Sequence, residues 1–366
     1  MRPPVRWRDA MDRALYGPEG FFVSGAGPAA HFRTSVHASP VFSSCLVRLL
    51  TALDRALGHP PRLDVVDVGA GQGELLRALL AGPTTAAAHL SPAAPVPLAD
   101  RVRLTAVERA PRPQDLPAEI HWTDEVPERI TGLLVATEWL DNVPLDVAVH
   151  IADGWRYLLV NPTTGEESTG APVTPDDAAW LARWWPTQGS LIKEFASAGG
   201  PESDPNSLIN RVVGRAEVGR SRDEAWADAV RHLERGLALA VDYGHLRDGR
   251  PVDGTLTGYR GGRQVPPVPD GSCDVTAHVA IDSVASAGER VARCAYTLIS
   301  QREALRAVGA DGGRPPLSLA SRDPAGYVRA LAAASAVAEL TDPAGLGGHW
   351  WLLQPVGVDM DGVVAR

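Results

Sequence analysis

Apolar residues recur along this chain in two rhythms: short β-branched runs, and longer stretches with apolar positions three and four apart. The first marks buried strands and the second amphipathic helices. An apolar helical pattern runs from Val41 and Phe42 through Leu57, with Ser39-Pro40 as its start and Gly58-His59-Pro60-Pro61 as its stop. A first strand over 63–68 leads into a glycine turn and a helix through Leu80, which Gly82-Pro83 ends. An Ala/Pro-rich surface loop is expected over 83–100. Further strands are predicted at 101–107, at Ile120-His121-Trp122 and at 132–137. The runs 145–151 and 155–160 flank Ala152-Asp153-Gly154, a hairpin signal.

Beyond Pro172 the pattern loosens. A helical piece carries Trp180, Trp184 and Trp185, and a Gly/Ser/Asp/Pro stretch follows to about Asn206. An amphipathic helix over 222–235, closed by Gly236, precedes a fifth strand at 237–241. A strand over 291–299, helices over 301–308 and 323–340, and a last strand over 350–358 complete the pattern. Strands alternating with helices predict an α/β fold on a largely parallel sheet, with the hairpin as a candidate antiparallel edge. The expected division is an N-terminal helical segment on the substrate side (1–60), a Rossmann-like core (61–161 and 222–366), a mostly helical and loop insertion (162–221) and a candidate lid (245–290).

With 366 residues the chain suits one large domain with insertions, or two domains. Its net charge of −9 argues against general nucleic-acid binding and suits a cationic substrate. Three cysteines without a C-x-x-C pair form neither a disulfide framework nor a zinc site, so no metal is expected. No run approaches the length of a membrane helix, and the N-terminus lacks the apolar core of a signal peptide, so a cytoplasmic protein is the expectation.

The candidate chemistry begins at Asp67-Val68-Gly69-Ala70-Gly71-Gln72-Gly73-Glu74. A tight glycine turn between strand and helix is where an open α/β sheet takes a nucleotide-like ligand. The dinucleotide fingerprint G-x-G-x-x-G is not met, because the third glycine falls one position early and Glu74 stands at the helix start. An acid there repels a pyrophosphate and tolerates the ammonium and sulfonium of S-adenosylmethionine. The expected cofactor site is Asp67, Gly69, Ala70, Gly71 and Gly73, with Glu108 on a ribose. Trp122 stacks on the adenine or is a core aromatic, and Glu138 anchors the cofactor amine or clamps the acceptor.

Several longer motifs accompany the turn. They are Tyr16-Gly17-Pro18-Glu19-Gly20-Phe21-Phe22, Phe32-Arg33-Thr34-Ser35, Ser39-Pro40-Val41-Phe42 and Glu138-Trp139-Leu140-Asp141-Asn142-Val143-Pro144. Later come Val241-Asp242-Tyr243-Gly244, Gly254-Thr255-Leu256, Asp274-Val275-Thr276-Ala277-His278-Val279 and Ser300-Gln301-Arg302-Glu303-Ala304-Leu305. In this order they resemble the MidA-like methyltransferases, a family that includes the mitochondrial complex I assembly factor that methylates arginine. The usual G-D-F-x-T-S reads Ala30-His31-Phe32-Arg33-Thr34-Ser35 here.

The resemblance implies a seven-stranded, Rossmann-like class I methyltransferase sheet with helical insertions, S-adenosylmethionine as cofactor and a protein arginine as acceptor. If arginine is the acceptor, carboxylates should hold its guanidinium in fork geometry. Glu138 and Asp141 are the candidates, with cofactor anchoring and helix capping as their respective alternatives. Tyr243 lines the acceptor channel or packs in the core, and His278 relays a proton or is structural. The arginine-rich stretch 247–263 is a lid or a solvated loop. Competing functions are methylation of a small molecule at nitrogen or oxygen, and a non-catalytic assembly protein on the same fold. A dehydrogenase would need NAD. A homodimer is compatible with the sequence.

Overall fold

A computed structural model describes residues 3–24, 35, 40–81, 97–186, 214–310 and 312–360. The chain divides into two compact units. One contains Met1–Ala26, Asp141–Ala225 and Gly244–Ser286; the other contains Gly27–Leu140, Trp226–Tyr243 and Ala287–Arg366.

The second unit holds a seven-stranded sheet. Its strands are β1 (Leu63–Val68), β2 (Val102–Val107), β3 (Ile120–Thr123), β4 (Ile130–Thr137), β5 (Leu233–Asp242), β6 (Thr297–Ser300) and β7 (Trp350–Val356). Their order is β6-β7-β5-β4-β1-β2-β3. β1 runs parallel to both β2 and β4, and β7 is antiparallel to β5 and β6. The expected seven-stranded class I sheet is therefore present, and its antiparallel strand is β7.

All six residues of β1 are buried, as befits a strand covered on both faces. Helix α1 (Pro40–Ala56) turns Phe42, Leu46, Leu49, Leu50 and Leu53 into the same core as Val65, Leu133 and Leu239. Helix α2 (Glu74–Ala81) adds Leu75, Leu76 and Leu79. Gly132 and Gly236 lie opposite each other in β4 and β5. A Cβ on Gly236 would fall 1.9 Å from the Gly132 carbonyl oxygen, and one on Gly132 2.0 Å from that of Asp64. Gly236 thus belongs to a strand, and the preceding helix, Arg220–Arg231, ends earlier than its pattern suggested.

The first unit is built on a five-stranded sheet. Gly154–Val160 lies between Val5–Arg6 and Asp146–Ile151, pairs also with Glu167–Pro172, and Gly214–Val218 follows Asp146–Ile151. The hairpin thus forms where expected but belongs to this sheet, not to an edge of the Rossmann-like one. Glu167–Pro172 and Gly214–Val218 are strands in a region read as helix and loop. The helical piece with Trp180 and Trp184 is confirmed as Pro175–Trp184, which Thr174 caps by accepting from the Asp177 amide.

Segment 245–290 holds a small three-stranded sheet and the start of helix Ile281–Ala292. That helix occupies the beginning of the stretch 291–299 that reads as strand; only Thr297–Ser300 is extended. Arg101 ends a short helix and does not open β2. The proposed helix start at Ser39, the motif residues Phe32, Arg33 and Thr34, most of the 83–100 loop and the loose stretch after 186 lie outside the described residues. Among the described residues no helix is long and apolar enough to cross a membrane.

Candidate cofactor and acceptor site

The sheet order reverses between β1 and β4, so the crevice outside their carboxyl ends is the position for a ligand. The turn at residues 69–73 follows β1 there. Gly69, Gly71 and Gly73 have φ of +74°, +58° and +81°, values that favour glycine. Their tasks differ. A Cβ on Gly69 would strike Trp139 at 2.7 Å, and one on Gly73 would strike Leu116 at 2.7 Å. Among the described residues a Cβ on Gly71 would meet only the Glu74 carboxylate, with Oε2 at 3.1 Å. Gly71 is therefore where this backbone is open to a ligand, while Gly69 and Gly73 serve packing. The amides of Gly69 and Ala70 donate to the Val107 carbonyl, at 3.0 and 3.3 Å, and dock the turn on the end of β2.

Three carboxylates crowd the turn. Glu74, the first residue of α2, folds back so that its Oε2 accepts from the Gln72 amide at 2.8 Å. Glu108 accepts from the Gly71 amide on one oxygen and the Ala110 amide on the other, both at 3.0 Å. Burial pushes the Glu108 carboxyl above its ordinary range, against the pull of the Ala110, Gly71 and Arg109 amides. Asp67 is buried, and its Oδ1 has no hydrogen-bond partner among the described residues. Burial, followed by the charges of Glu74 and Glu108, pushes Asp67 well above the usual carboxylate range. A group bearing positive charge fits this surplus of negative potential, and a pyrophosphate does not. The residues thus suit S-adenosylmethionine. Trp122 stands beside the turn, its ring about 4.0 Å from where a Gly73 Cβ would lie, and its Nε1 donates to the Ala110 carbonyl at 3.1 Å.

Glu138 follows β4. Its φ of +51° is rare for a residue with a side chain and marks stored backbone strain of the kind concentrated at working sites. Its amide donates to the Val241 carbonyl at 2.8 Å, and its Oε1 accepts from the Ser35 amide at 3.0 Å. Asp242 is buried at the end of β5; its two oxygens accept from the Leu140 amide (3.0 Å) and the Tyr243 amide (2.9 Å), which fixes the segment after Glu138. The Tyr243 ring tilts against His349 with centroids 5.6 Å apart.

Asp141 and His278 belong to the other unit, so the four candidate catalytic residues fall two and two. Asp141 is buried; its Oδ2 accepts from the Thr276 hydroxyl at 2.7 Å. Asn142 donates to Asp274 at 2.8 Å. The D-N and D-V-T-A-H motifs, distant in sequence, are thus bonded to each other. His278 presents its backbone here: its amide donates to the Thr255 hydroxyl at 2.8 Å. Buried Arg222 donates to the carbonyls of Asp141, Val143 (3.1 Å), Ala277 (2.9 Å) and His278 (3.1 Å). Sequence reasoning missed it, because an arginine near the start of an amphipathic helix looks solvent-facing. Among the described residues no cluster of His, Cys, Asp and Glu could hold a metal.

A family model described as "Putative S-adenosyl-L-methionine-dependent methyltransferase" matches residues 45–299, more than half of the chain. The chain belongs to this family. It is an S-adenosylmethionine-dependent methyltransferase of the MidA-like kind. Two solved structures from Burkholderia thailandensis share the fold. One, a COG1565 superfamily member bound to S-adenosyl-homocysteine, is 24% identical with a TM-score of 0.74, covering 99% of this chain and 91% of that one. The other, a native structure of a COG1565 superfamily protein, is 23% identical with a TM-score of 0.69, covering 99% and 90%. No curated protein matches the chain.

Proposed function

We propose that this methyltransferase acts on the guanidinium of a protein arginine and that Glu138 holds the acceptor. The cofactor supplies an electrophilic methyl group on a sulfonium. What remains for the chain is to bind, orient and bias charge. Asp67, Glu74, Glu108 and the open backbone at Gly71 form the cofactor cradle, with Glu108 as acceptor for a ribose hydroxyl and Trp122 as the flat wall beside the turn.

The observation that carries the acceptor reading is Glu138 itself. Its backbone is held in the left-handed region at the carboxyl end of β4, and one carboxylate oxygen is fixed by the Ser35 amide. A carboxylate at this strand end matches a guanidinium in charge and in fork geometry. Pairing one side of a guanidinium draws its positive charge there and leaves another nitrogen more nucleophilic. Asp141, bonded to Thr276, is better suited to fixing the loop that follows Glu138 than to clamping substrate. His278, whose amide meets Thr255 and whose carbonyl meets Arg222, reads as part of that same scaffold.

The test is Glu138→Gln. The expected result is a large loss of methyl transfer with S-adenosylhomocysteine affinity nearly unchanged. Equal loss of both places Glu138 on the cofactor amine. Transfer to a low-molecular-weight acceptor in place of protein supports a small-molecule methyltransferase, and cofactor binding with no transfer to any fraction supports an assembly protein.

A further inference from the structure

Asp67 is an acid in an apolar place. It lies in β1, an inner strand of the seven-stranded sheet whose residues are all buried. In register with it stand Ala106 of β2 and Val135 of β4, both wholly buried. Residues in register share a face of the sheet, so the nearest cross-strand side chains offer its carboxyl no donor. Its Oδ1 has no hydrogen-bond partner among the described residues. The charged groups that act on it are Glu74, at the start of α2, and Glu108, after β2, and both oppose its ionised form.

The three acids at this turn differ in how their charge is met. Glu108 accepts from the Gly71 and Ala110 amides and also feels the charge of Arg109. Glu74 accepts from the Gln72 amide. Of the three, only Asp67 carries a buried oxygen without a partner among the described residues. Burial and the two neighbouring acids therefore push it well above the usual carboxylate range. Such an acid becomes fully ionised only when something positive is brought to it.

S-adenosylmethionine and its product S-adenosylhomocysteine share their ammonium, carboxylate, ribose and adenine. They differ by the sulfonium: one methyl and one unit of positive charge. Groups that bind the shared parts hold both ligands alike. A buried negative charge without a partner favours the charged ligand, because attraction between opposite charges is strong where water is excluded.

We infer that Asp67 makes the cofactor cradle discriminate by charge: it holds S-adenosylmethionine in preference to S-adenosylhomocysteine, so that the spent cofactor gives way to a fresh one. The inference rests on the placement of the cofactor against the turn at residues 69–73. It gives Asp67 a task separate from that of Glu108, whose partner on the cofactor, a ribose hydroxyl, is common to both ligands.

The test is calorimetry of both ligands on the full-length protein, in buffers of different ionisation enthalpy and at two pH values one unit apart. The wild-type protein is expected to bind S-adenosylmethionine at least about tenfold more tightly than S-adenosylhomocysteine, the equivalent of one unit of pKa change at Asp67. As pH rises toward the raised value of Asp67, affinity for S-adenosylmethionine should rise by up to about tenfold per unit for one proton released, and affinity for S-adenosylhomocysteine should rise less. Asp67→Asn keeps the shape and removes the charge. It is expected to lower S-adenosylmethionine affinity by at least about tenfold, to leave S-adenosylhomocysteine affinity within about twofold, and to shrink the difference in proton release between the two.

Should Asp67→Asn fail to fold by circular dichroism, the wild-type ratio decides: equal affinities for the two ligands overturn the inference. Equal losses for both ligands in Asp67→Asn also overturn it, by putting Asp67 on a part they share, and leave the cradle in place. Unchanged affinity for both ligands overturns the placement of the cofactor beside this acid, and the discrimination with it.

Discussion

Gly71→Ala separates backbone strain from ligand contact. At φ +58° an added Cβ meets the general penalty of the left-handed region, about 1–2 kcal/mol. The Cβ would also stand 3.1 Å from Glu74 Oε2, so that carboxylate must give by a few tenths of an ångström, against its bond from the Gln72 amide. A hydrogen bond to a charged group contributes about 1.5–3 kcal/mol. If that bond is lost and the open side of the turn is narrowed, cofactor affinity should fall by about 10- to 100-fold, since each tenfold corresponds to about 1.4 kcal/mol. Gly58→Ala is the control. Gly58 has φ +78°, and among the described residues a Cβ there meets nothing within 4 Å. Gly58→Ala should lose about 1–2 kcal/mol in urea denaturation, and Gly71→Ala that amount plus whatever the Glu74 bond loses. Only Gly71→Ala should lose affinity for S-adenosylhomocysteine by calorimetry. Retained affinity in Gly71→Ala, or an equal loss in Gly58→Ala, refutes the placement of the ligand against this turn.

Other outcomes follow from the same structure. Asp67 and Glu108 are pushed above the ordinary carboxylate range in the free protein, and a positively charged cofactor bound at this turn would favour their ionised forms. S-adenosylmethionine should therefore bind with release of protons and more tightly as pH rises from the ordinary carboxylate range toward those raised values. The dependence should weaken for uncharged-sulfur S-adenosylhomocysteine; calorimetry in buffers of different ionisation enthalpy reads the sign, and proton uptake would contradict it. Asp54 is fully buried and takes Arg101 in a two-pronged pair at 2.7 and 2.8 Å. Burial opposes its ionisation, yet the bonds and charges of Arg101 and His59 hold it below the ordinary range. Its stabilisation should be complete at neutral pH and fade as pH falls from the ordinary carboxylate range toward the lowered value; Asp54→Ala should cost about 3–5 kcal/mol in urea denaturation, because buried Arg101 loses its carboxylate. Gly132→Ala should fail to yield folded protein by circular dichroism, because its Cβ would lie 2.0 Å from the Asp64 carbonyl oxygen.

The segment from Leu63 to Glu74 was legible in sequence because its signals are local. A β-branched run buried on both faces, three glycines and an acid at the helix start each constrain the backbone within a few residues. Strand existence was legible for the hairpin for the same reason, but its sheet was not. Alternation says that a strand has a buried face and is silent about which partner covers it. Gly236 illustrates the converse error: a glycine after an amphipathic run reads as a helix stop, whereas here it gives room for the Gly132 carbonyl across the sheet. Glu108 was legible as an acid at a strand end, but its hold on the Gly71 amide was not. Arg222 and Gln301 left no local signal at all. Arg222 gathers carbonyls from two distant motifs, and Gln301 meets Ser35 across 266 positions of sequence. Such bonds depend on the assembled fold.

The claim at the centre of this account is that the methyl group goes to a protein arginine held by Glu138. Quantitative mass spectrometry of methylated peptides tests it most directly, comparing host strains that carry the wild-type protein, Glu138→Gln at equal abundance, or neither. At least one methylarginine site is expected to be present with the wild-type protein and absent from the other two. Unchanged arginine methylation across the three strains, with a methylated metabolite lost instead, would contradict it.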